Sequence, residues 1–330
     1  MRRYTALINP IAGGGHAAER LGPVTRLLEQ WGASVTVEET RGREHAISAA
    51  EQAAARGDVV LAAGGDGLVR DVAGGVVTTE GTLGIVPSGR GNDLARALAL
   101  PEEPTELARL LFDGQVRQID VLEVGGVIVP GNVYAGIDAA ATSIINGSRW
   151  VPAGLLYRLA PVRAILTWRP PRYTLSTDGR TWSLRAHTVV IANSGAYGHG
   201  LSIVPQAVLD DGMSDLLVVG TGPRREIVKF LREARTGGHV HRAEVTHETV
   251  TDIVLDADRP IPLCADGDEI GELPARVRIL PAALNVIAPS SPSGGRPKDS
   301  SGTTYAPKRT SGSPLGAADR TGTGMRHGKD

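Results

Sequence analysis

Residues 59–72, VVLAAGGDGLVRDV, constrain the fold more than any other stretch of the chain. The apolar run from Val59 to Ala63 has the length of a buried parallel strand. It ends in Gly64-Gly65-Asp66-Gly67, and a helical pattern (Leu68, Val69, Val72) follows. A glycine turn between strand and helix brings backbone N–H groups and the helix dipole to one point where an anion can sit. The glycines let a phosphate approach with no Cβ in the way. Asp66 is the odd member, because a carboxylate beside phosphates repels them unless a cation or a sugar hydroxyl lies between. Taken alone, the turn also reads as a tight connection in which Asp66 caps the helix.

Two more segments repeat the arrangement. Leu7-Ile8-Asn9-Pro10 closes a first strand, and Ala12-Gly13-Gly14-Gly15 follows before a helix. Leu83–Pro87 is a further strand, leading through Ser88-Gly89-Arg90-Gly91-Asn92-Asp93 into the helix Leu94–Leu98. In an open parallel sheet such turns gather along the carboxyl edge, where ligands bind. With strands expected near 4–8, 34–38, 59–63 and 83–86 and helices between them, the order βαβαβαβα predicts an α/β, parallel three-layer domain. After a helix near 105–112 the texture changes to short strands near 117–124, 127–132, 173–177, 183–192, 214–219, 249–255 and 276–280, which predicts a mainly antiparallel β domain. From Pro289 onward the chain is Ser, Gly, Pro, Thr and basic residues and is expected to be disordered.

NPIAGGG, AAGGDGLVRDV and LGIVPSGRGNDLARAL together resemble the catalytic domain of the diacylglycerol kinase family, which includes sphingosine, ceramide and bacterial lipid kinases. The similarity continues through Gly198-His199-Gly200, Pro205, Ala207, Asp210–Leu216 and Ala265-Asp266-Gly267-Asp268. The resemblance implies a nucleotide-binding domain (1–123), a β-sandwich lipid-substrate domain (124–282), a strand returning to the first domain (283–289) and a basic tail (290–330). It implies an ATP- and Mg²⁺-dependent kinase that phosphorylates the hydroxyl of diacylglycerol or a related lipid alcohol, forming phosphatidic acid. Asn9, Thr40, Gly64, Gly65, Asp66, Gly67, Leu68, Asp71, Gly89, Arg90, Asn92 and Asp93 match nucleotide-binding positions. Five of the family's motif residues differ here. Leu68 and Arg90 each replace a Thr, Arg70 replaces an Asn, and Asp71 and Asp268 each replace a Glu. Arg70 and Arg90 either offset the lost hydroxyls electrostatically or signal a different phosphate donor.

Phosphoryl transfer needs held phosphates, a divalent cation and a carboxylate to take the hydroxyl proton. Asp66 and Asp93 are the carboxylates expected to address catalytic Mg²⁺, directly or through water; Asp93 reads equally well as the N-cap of the following helix. Asp266 and Asp268 lie at i and i+2, so an extended backbone would point them to one side. The resemblance makes Asp268 the proton acceptor with Asp266 in support, and a hairpin turn is the plain alternative. The family pattern also places a structural Mg²⁺ on Val208, Asp211 and Met213.

Other features read more simply. Cys264 is expected to be inert core, and one cysteine excludes an internal disulfide. His199, His239, His241 and His247 read as solvated loop residues. Residues 149–172 are apolar, basic and acid-free; core packing is preferred there over membrane docking through the arginines and Trp150 or Trp168. The net charge of -1 gives no case for nucleic acid, although the tail alone holds seven basic against three acidic residues. With no signal-like or membrane-spanning run, the expectation is a cytoplasmic protein in peripheral contact with its lipid's membrane, its homodimerisation left open. Two competing readings are a soluble-substrate kinase of the NAD kinase-like superfamily and a non-catalytic nucleotide-binding regulator.

Overall fold

The computed structural model describes residues 1–10, 16–147, 163–198, 200–223 and 225–290. The glycine turn at 12–15, His199, the first part of the basic segment (149–162) and the tail from 291 lie outside those residues.

The first unit alternates β1 (Arg3–Ile8), α1 (Ala17–Gln30), β2 (Ser34–Glu39), α2 (Arg43–Ala55), β3 (Val59–Gly64), α3 (Asp66–Val77) and β4 (Thr82–Pro87). These strands are parallel in the order β2-β1-β3-β4. β1 and β3 are almost wholly buried, whereas β2 at the edge keeps only a half-buried face. That contrast is what covering both faces of the central strands requires. Leu21, Val24 and Leu28 of α1 share one stripe and pack with Leu107 and Leu111 of α5 (Pro104–Asp113) on one side of the sheet. α2 and α3 cover the other side through Ala46, Ala50, Val69, Val72 and Val76. The short α4 (Asp93–Ala97) precedes α5.

The second unit contains β5 (Val116–Val124), β6 (Val127–Val129), β7 (Asn132–Gly136), α6 (Ile137–Gly147), β8 (Arg172–Thr177) and β9 (Arg180–Ala192). It continues with β10 (Ala196–Tyr197), β11 (Leu201–Ser202), β12 (Ser214–Gly220), α7 (Arg225–Glu233), β13 (Val245–Val250), β14 (Asp252–Ala257), β15 (Pro262–Ala265), β16 (Asp268–Glu272) and β17 (Ala275–Ile287). One antiparallel layer runs β13-β12-β9-β7-β15-β16. The other contains β8, β14, β17, β5 and β6, with the first half of β9 paired to β8. Leu122, Val133, Tyr173, Val189, Leu216, Ile253 and Val277 fill the space between them. β17 begins in this sandwich beside β14 and ends parallel to β4 (Asn285↔Thr82, Val286↔Leu83), so one strand stitches the two units together.

Several expectations are corrected here. The strand expected at 127–132 is two strands, β6 and β7, divided at Pro130-Gly131 where proline cannot donate to a ladder. The strand expected at 249–255 is divided between β13 and β14. His239 is fully buried in a 3₁₀ turn, edge-on to Phe230, with Nε2 2.8 Å from the Ile203 carbonyl. His247 lies on β13 and pairs with Asp215 at 2.6 Å. Asp266 and Asp268 are not on one extended strand: Asp266 (φ 47) and Gly267 (φ 90) form the two-residue turn of the β15–β16 hairpin. Trp168 is in the sandwich core, as preferred, although Leu166 beside it is exposed.

Candidate active site

Three loops meet at the carboxyl edge of the parallel strands. In the first, Gly65 is the N-cap of α3 and Asp66 its first residue, so Asp66 does not cap its own helix. Its carboxylate reaches across to the second loop. Oδ2 accepts from Asn92 N–H (2.8 Å) and Oδ1 from Asp93 N–H (2.6 Å), so Asp66 caps α4 from another strand end. This second loop is fixed further by Asn92, whose φ of 53 is left-handed and whose amide exchanges hydrogen bonds with Gly89 N–H (2.8 Å) and O (3.1 Å). The two loops touch at glycines: a Cβ on Gly89 would collide with the Gly65 backbone.

Asp93, at the first turn of α4, does not cap it either. Its Oδ2 accepts from Gly198 N–H (2.7 Å) in the loop between β10 and β11, so a carboxylate of the first unit holds a backbone of the second.

The third loop is the β15–β16 hairpin. Arg70, on α3 and only 4% exposed, ties it down. Nη1 donates to the Ala265 carbonyl (3.0 Å), while Nη2 lies 2.9 Å from Asp71 and 3.2 Å from Asp268. Burial works against the Arg70 charge, but Asp71 and Asp268 hold its pKa above the usual guanidinium value. Burial likewise pushes the Asp71 carboxyl up, opposed by Arg70 and by Arg43 at 3.7 Å. Asp268 keeps half its side chain exposed, and its Oδ2 lies over Gly67 so closely that a Cβ there would collide with it. A side chain at Gly67 would therefore have to displace the carboxylate above it.

Asp266 stands behind. Its Oδ1 accepts from Asn132 N–H at 2.9 Å. Burial pushes its carboxyl up to about 7; the Asn132 bond and Arg70 oppose this, and the charges of Asp66 and Asp93 add to it. The charges of Asp66 and Asp93 thus bear on Asp266 from the other two loops. Among the described residues no group of three or more His, Cys, Asp or Glu side chains is close enough to enclose a metal ion by itself.

Asn9 follows β1, and Thr40 donates from both N–H (2.8 Å) and Oγ1 (3.2 Å) to Ile8 O, which places both residues at the same edge. Leu68 is buried in the core of the first unit. Arg90 is exposed at the lip of a cleft of about 440 Å³ shared with His16, Glu19 and Arg20, and Arg20 and Arg90 also line a neighbouring cleft of about 280 Å³ with Arg96 and Glu102. Arg70, read as one of two cations beside the turn, directs its guanidinium to the Ala265 carbonyl, Asp71 and Asp268. Asp71 faces Arg70 and Arg43.

Val208, Asp211 and Met213 lie on one loop, where Asp211 Oδ1 accepts from Met213 N–H (3.0 Å). Asp120 of β5 anchors that loop. Its oxygens accept from Gly212 N–H (2.7 Å) and Ala282 N–H (2.7 Å), and its own N–H donates to Leu209 O (2.7 Å). Sequence reasoning missed Asp120, for which a charged residue inside the apolar strand 116–124 was the available signal, and it read Gly198 only as part of the Gly198-His199-Gly200 match, without its backbone contact to Asp93.

Residues 3–124 match the model of the diacylglycerol kinase catalytic domain, and residues 131–288 match that of the YegS C-terminal NAD kinase beta sandwich-like domain. A diacylglycerol kinase of Mycobacterium tuberculosis is 31% identical over 87% of this chain and 95% of its own length. A diacylglycerol kinase of Bacillus subtilis is 26% identical over 88% and 97%. Among solved structures, a candidate diacylglycerol kinase of Bacillus anthracis superposes with a TM-score of 0.73 at 22% identity, covering 87% of this chain and 95% of that one, a likeness of fold.

Proposed function

Since this chain belongs to the diacylglycerol kinase family of lipid kinases, we propose that its cleft transfers the γ-phosphoryl group of ATP to the hydroxyl of diacylglycerol or a related lipid alcohol. The observation that carries this reading is Asp268 over Gly67: a half-exposed carboxylate of one unit stands on the phosphate turn of the other. In the step, the lipid oxygen attacks phosphorus, its proton passes to Asp268, and the bond to the departing ADP breaks. Arg70 keeps the acceptor in place, and Asp266 fixes the hairpin to Asn132 from behind. The backbone N–H groups at the start of α3 and the Arg90 side chain hold the phosphates.

The donor set suits a hard cation. Asp66 and Asp93 offer only oxygen, and their charges already bear on Asp266. They would hold Mg²⁺ largely through water, and the ion would neutralise phosphate charge. The Val208–Met213 loop, fixed by Asp120, suits a second, structural Mg²⁺ on Asp211 and the Val208 and Met213 carbonyls. Among the described residues no helix is long and apolar enough to cross a membrane; the lipid is met at the surface of its bilayer.

Incubating the purified protein with ATP, Mg²⁺, a total lipid extract and a nicotinamide dinucleotide, with products resolved by mass, tests the reading. Phosphorylated diacylglycerol or a phosphorylated sphingoid base is expected. Phosphate appearing only on a soluble dinucleotide would sustain the rival kinase, and no transfer at all would sustain a regulator.

A further inference from the structure

Helix α7 has no buried residue, yet four of its nine residues (REIVKFLRE) are apolar. Its inner side explains part of this. Phe230 packs edge-on against buried His239, and Glu226 and Glu233 point to Arg242, whose Nη2 and Nη1 lie 2.8 and 3.1 Å from them. Arg242 also pairs with Glu244 at 2.6 Å. Both carboxylates of the helix therefore face the protein. Arg225 and Lys229 lean toward them only loosely, at 3.8 and 3.9 Å, and stay largely exposed.

At 100° per residue the opposite face carries Val228, Leu231 and Arg232, with Arg225 on its flank, and the exposed Arg235 follows in the turn just past the helix. Val228 is 69% and Leu231 40% exposed, two of the few large apolar side chains left in water among the described residues. An apolar centre ringed by arginines, with every acid of the helix turned inward, is the pattern of a helix that lies in a bilayer interface. We propose that this face of α7 docks on the anionic surface of a membrane. The proposal rests on the lipid-kinase reading for its purpose, though not for its geometry. The face is tied to the site: Ser202 N–H donates to Ala234 O (2.7 Å) just past α7, and the same β10–β11 hairpin presents Gly198 to Asp93. Docking thus takes place one hairpin away from the phosphate turns.

The test is co-sedimentation of the full chain with phosphatidylcholine vesicles that do or do not contain phosphatidylglycerol. Two double variants are compared with the parent, Val228→Asp/Leu231→Asp and Arg232→Glu/Arg235→Glu. The parent should bind the anionic vesicles in a salt-sensitive way and the neutral ones weakly. Each variant should lose roughly tenfold or more in partitioning, from the charge and apolar area removed. Melting should be unchanged, as the altered side chains are exposed and the Arg242 cluster is intact. Phosphorylation of a detergent-dispersed lipid should also be unchanged, so a parent that binds vesicles but phosphorylates nothing would sink the enzyme reading alone. Parent-like binding by both variants, or equal binding of the parent to neutral vesicles, would overturn the docking face. So would a change in oligomeric state with no change in vesicle binding, which would make the face a contact between copies.

Discussion

Replacing Arg70 by Met removes the one side chain that joins α3, Asp71 and the Asp268 hairpin. Met fills a similar volume, so the loss is electrostatic. Breaking a buried ion pair by deleting one partner costs about 3–5 kcal/mol, because the other charge stays buried. Asp71 is 12% exposed and keeps Arg43 at 3.7 Å, which puts the expected cost near the lower end, about 3 kcal/mol. Asp268 is half exposed, and its lost pair adds little. The sign with pH follows from Asp71. Burial already raises its folded pKa above the unfolded value, and removing Arg70 raises it further. The penalty is then fully present at neutral pH and fades as acid protonates the carboxyl. Urea midpoints at neutral and acidic pH measure this. The double variant Arg70→Met/Asp71→Leu leaves no orphan charge and should recover to within about 1 kcal/mol of the parent. A single variant costing less than about 1 kcal/mol, or a double variant no better than the single, would refute the reasoning.

Three further outcomes follow from the same geometry. Asp66→Ala should abolish turnover and also cost about 1–2 kcal/mol, since it uncaps α4; a thermal or urea melt beside the rate assay separates the two effects. Asp266 holds its proton to about 7 when folded against an ordinary 3.8, so the folded state binds the extra proton between those values and stability falls as pH rises through that window. Asp266→Asn should flatten this slope, whose full extent is at most ~4 kcal/mol; a parent whose urea midpoint is level from pH 4 to 7 would contradict it. Gly67→Ala should displace the Asp268 carboxylate and lower the rate far more than Gly179→Ala, at a site with open space around the glycine.

The parallel half was legible because its strands end where apolar runs meet glycine turns, and period alone places β1 to β4 within a residue or two. The site's residue types were legible as well, but not their partners. Arg70 bonds a carbonyl 195 residues away, and Asp66 caps a helix 26 residues on; neither leaves a local pattern. The left-handed turn at Asp266-Gly267 was legible only as the alternative to an extended pair, because an Asp-Gly-Asp run fits both. Helix α7 went unread although its four apolar residues share one side, because it is only nine residues long and lies between turns.

The central claim is that Asp268 takes the lipid's proton above the phosphate turn. It is tested most directly by the rate of phosphate transfer from ATP to diacylglycerol in mixed micelles for the parent, Asp268→Asn, Asp268→Glu and Asp266→Asn. The account expects Asp268→Asn to lose roughly 10²–10⁴-fold in rate while still binding ATP, and Asp268→Glu to stay active. A loss of less than about tenfold at 268 with inactivity at 266 would move the base to Asp266, and parent-like rates for both Asn variants would contradict the account.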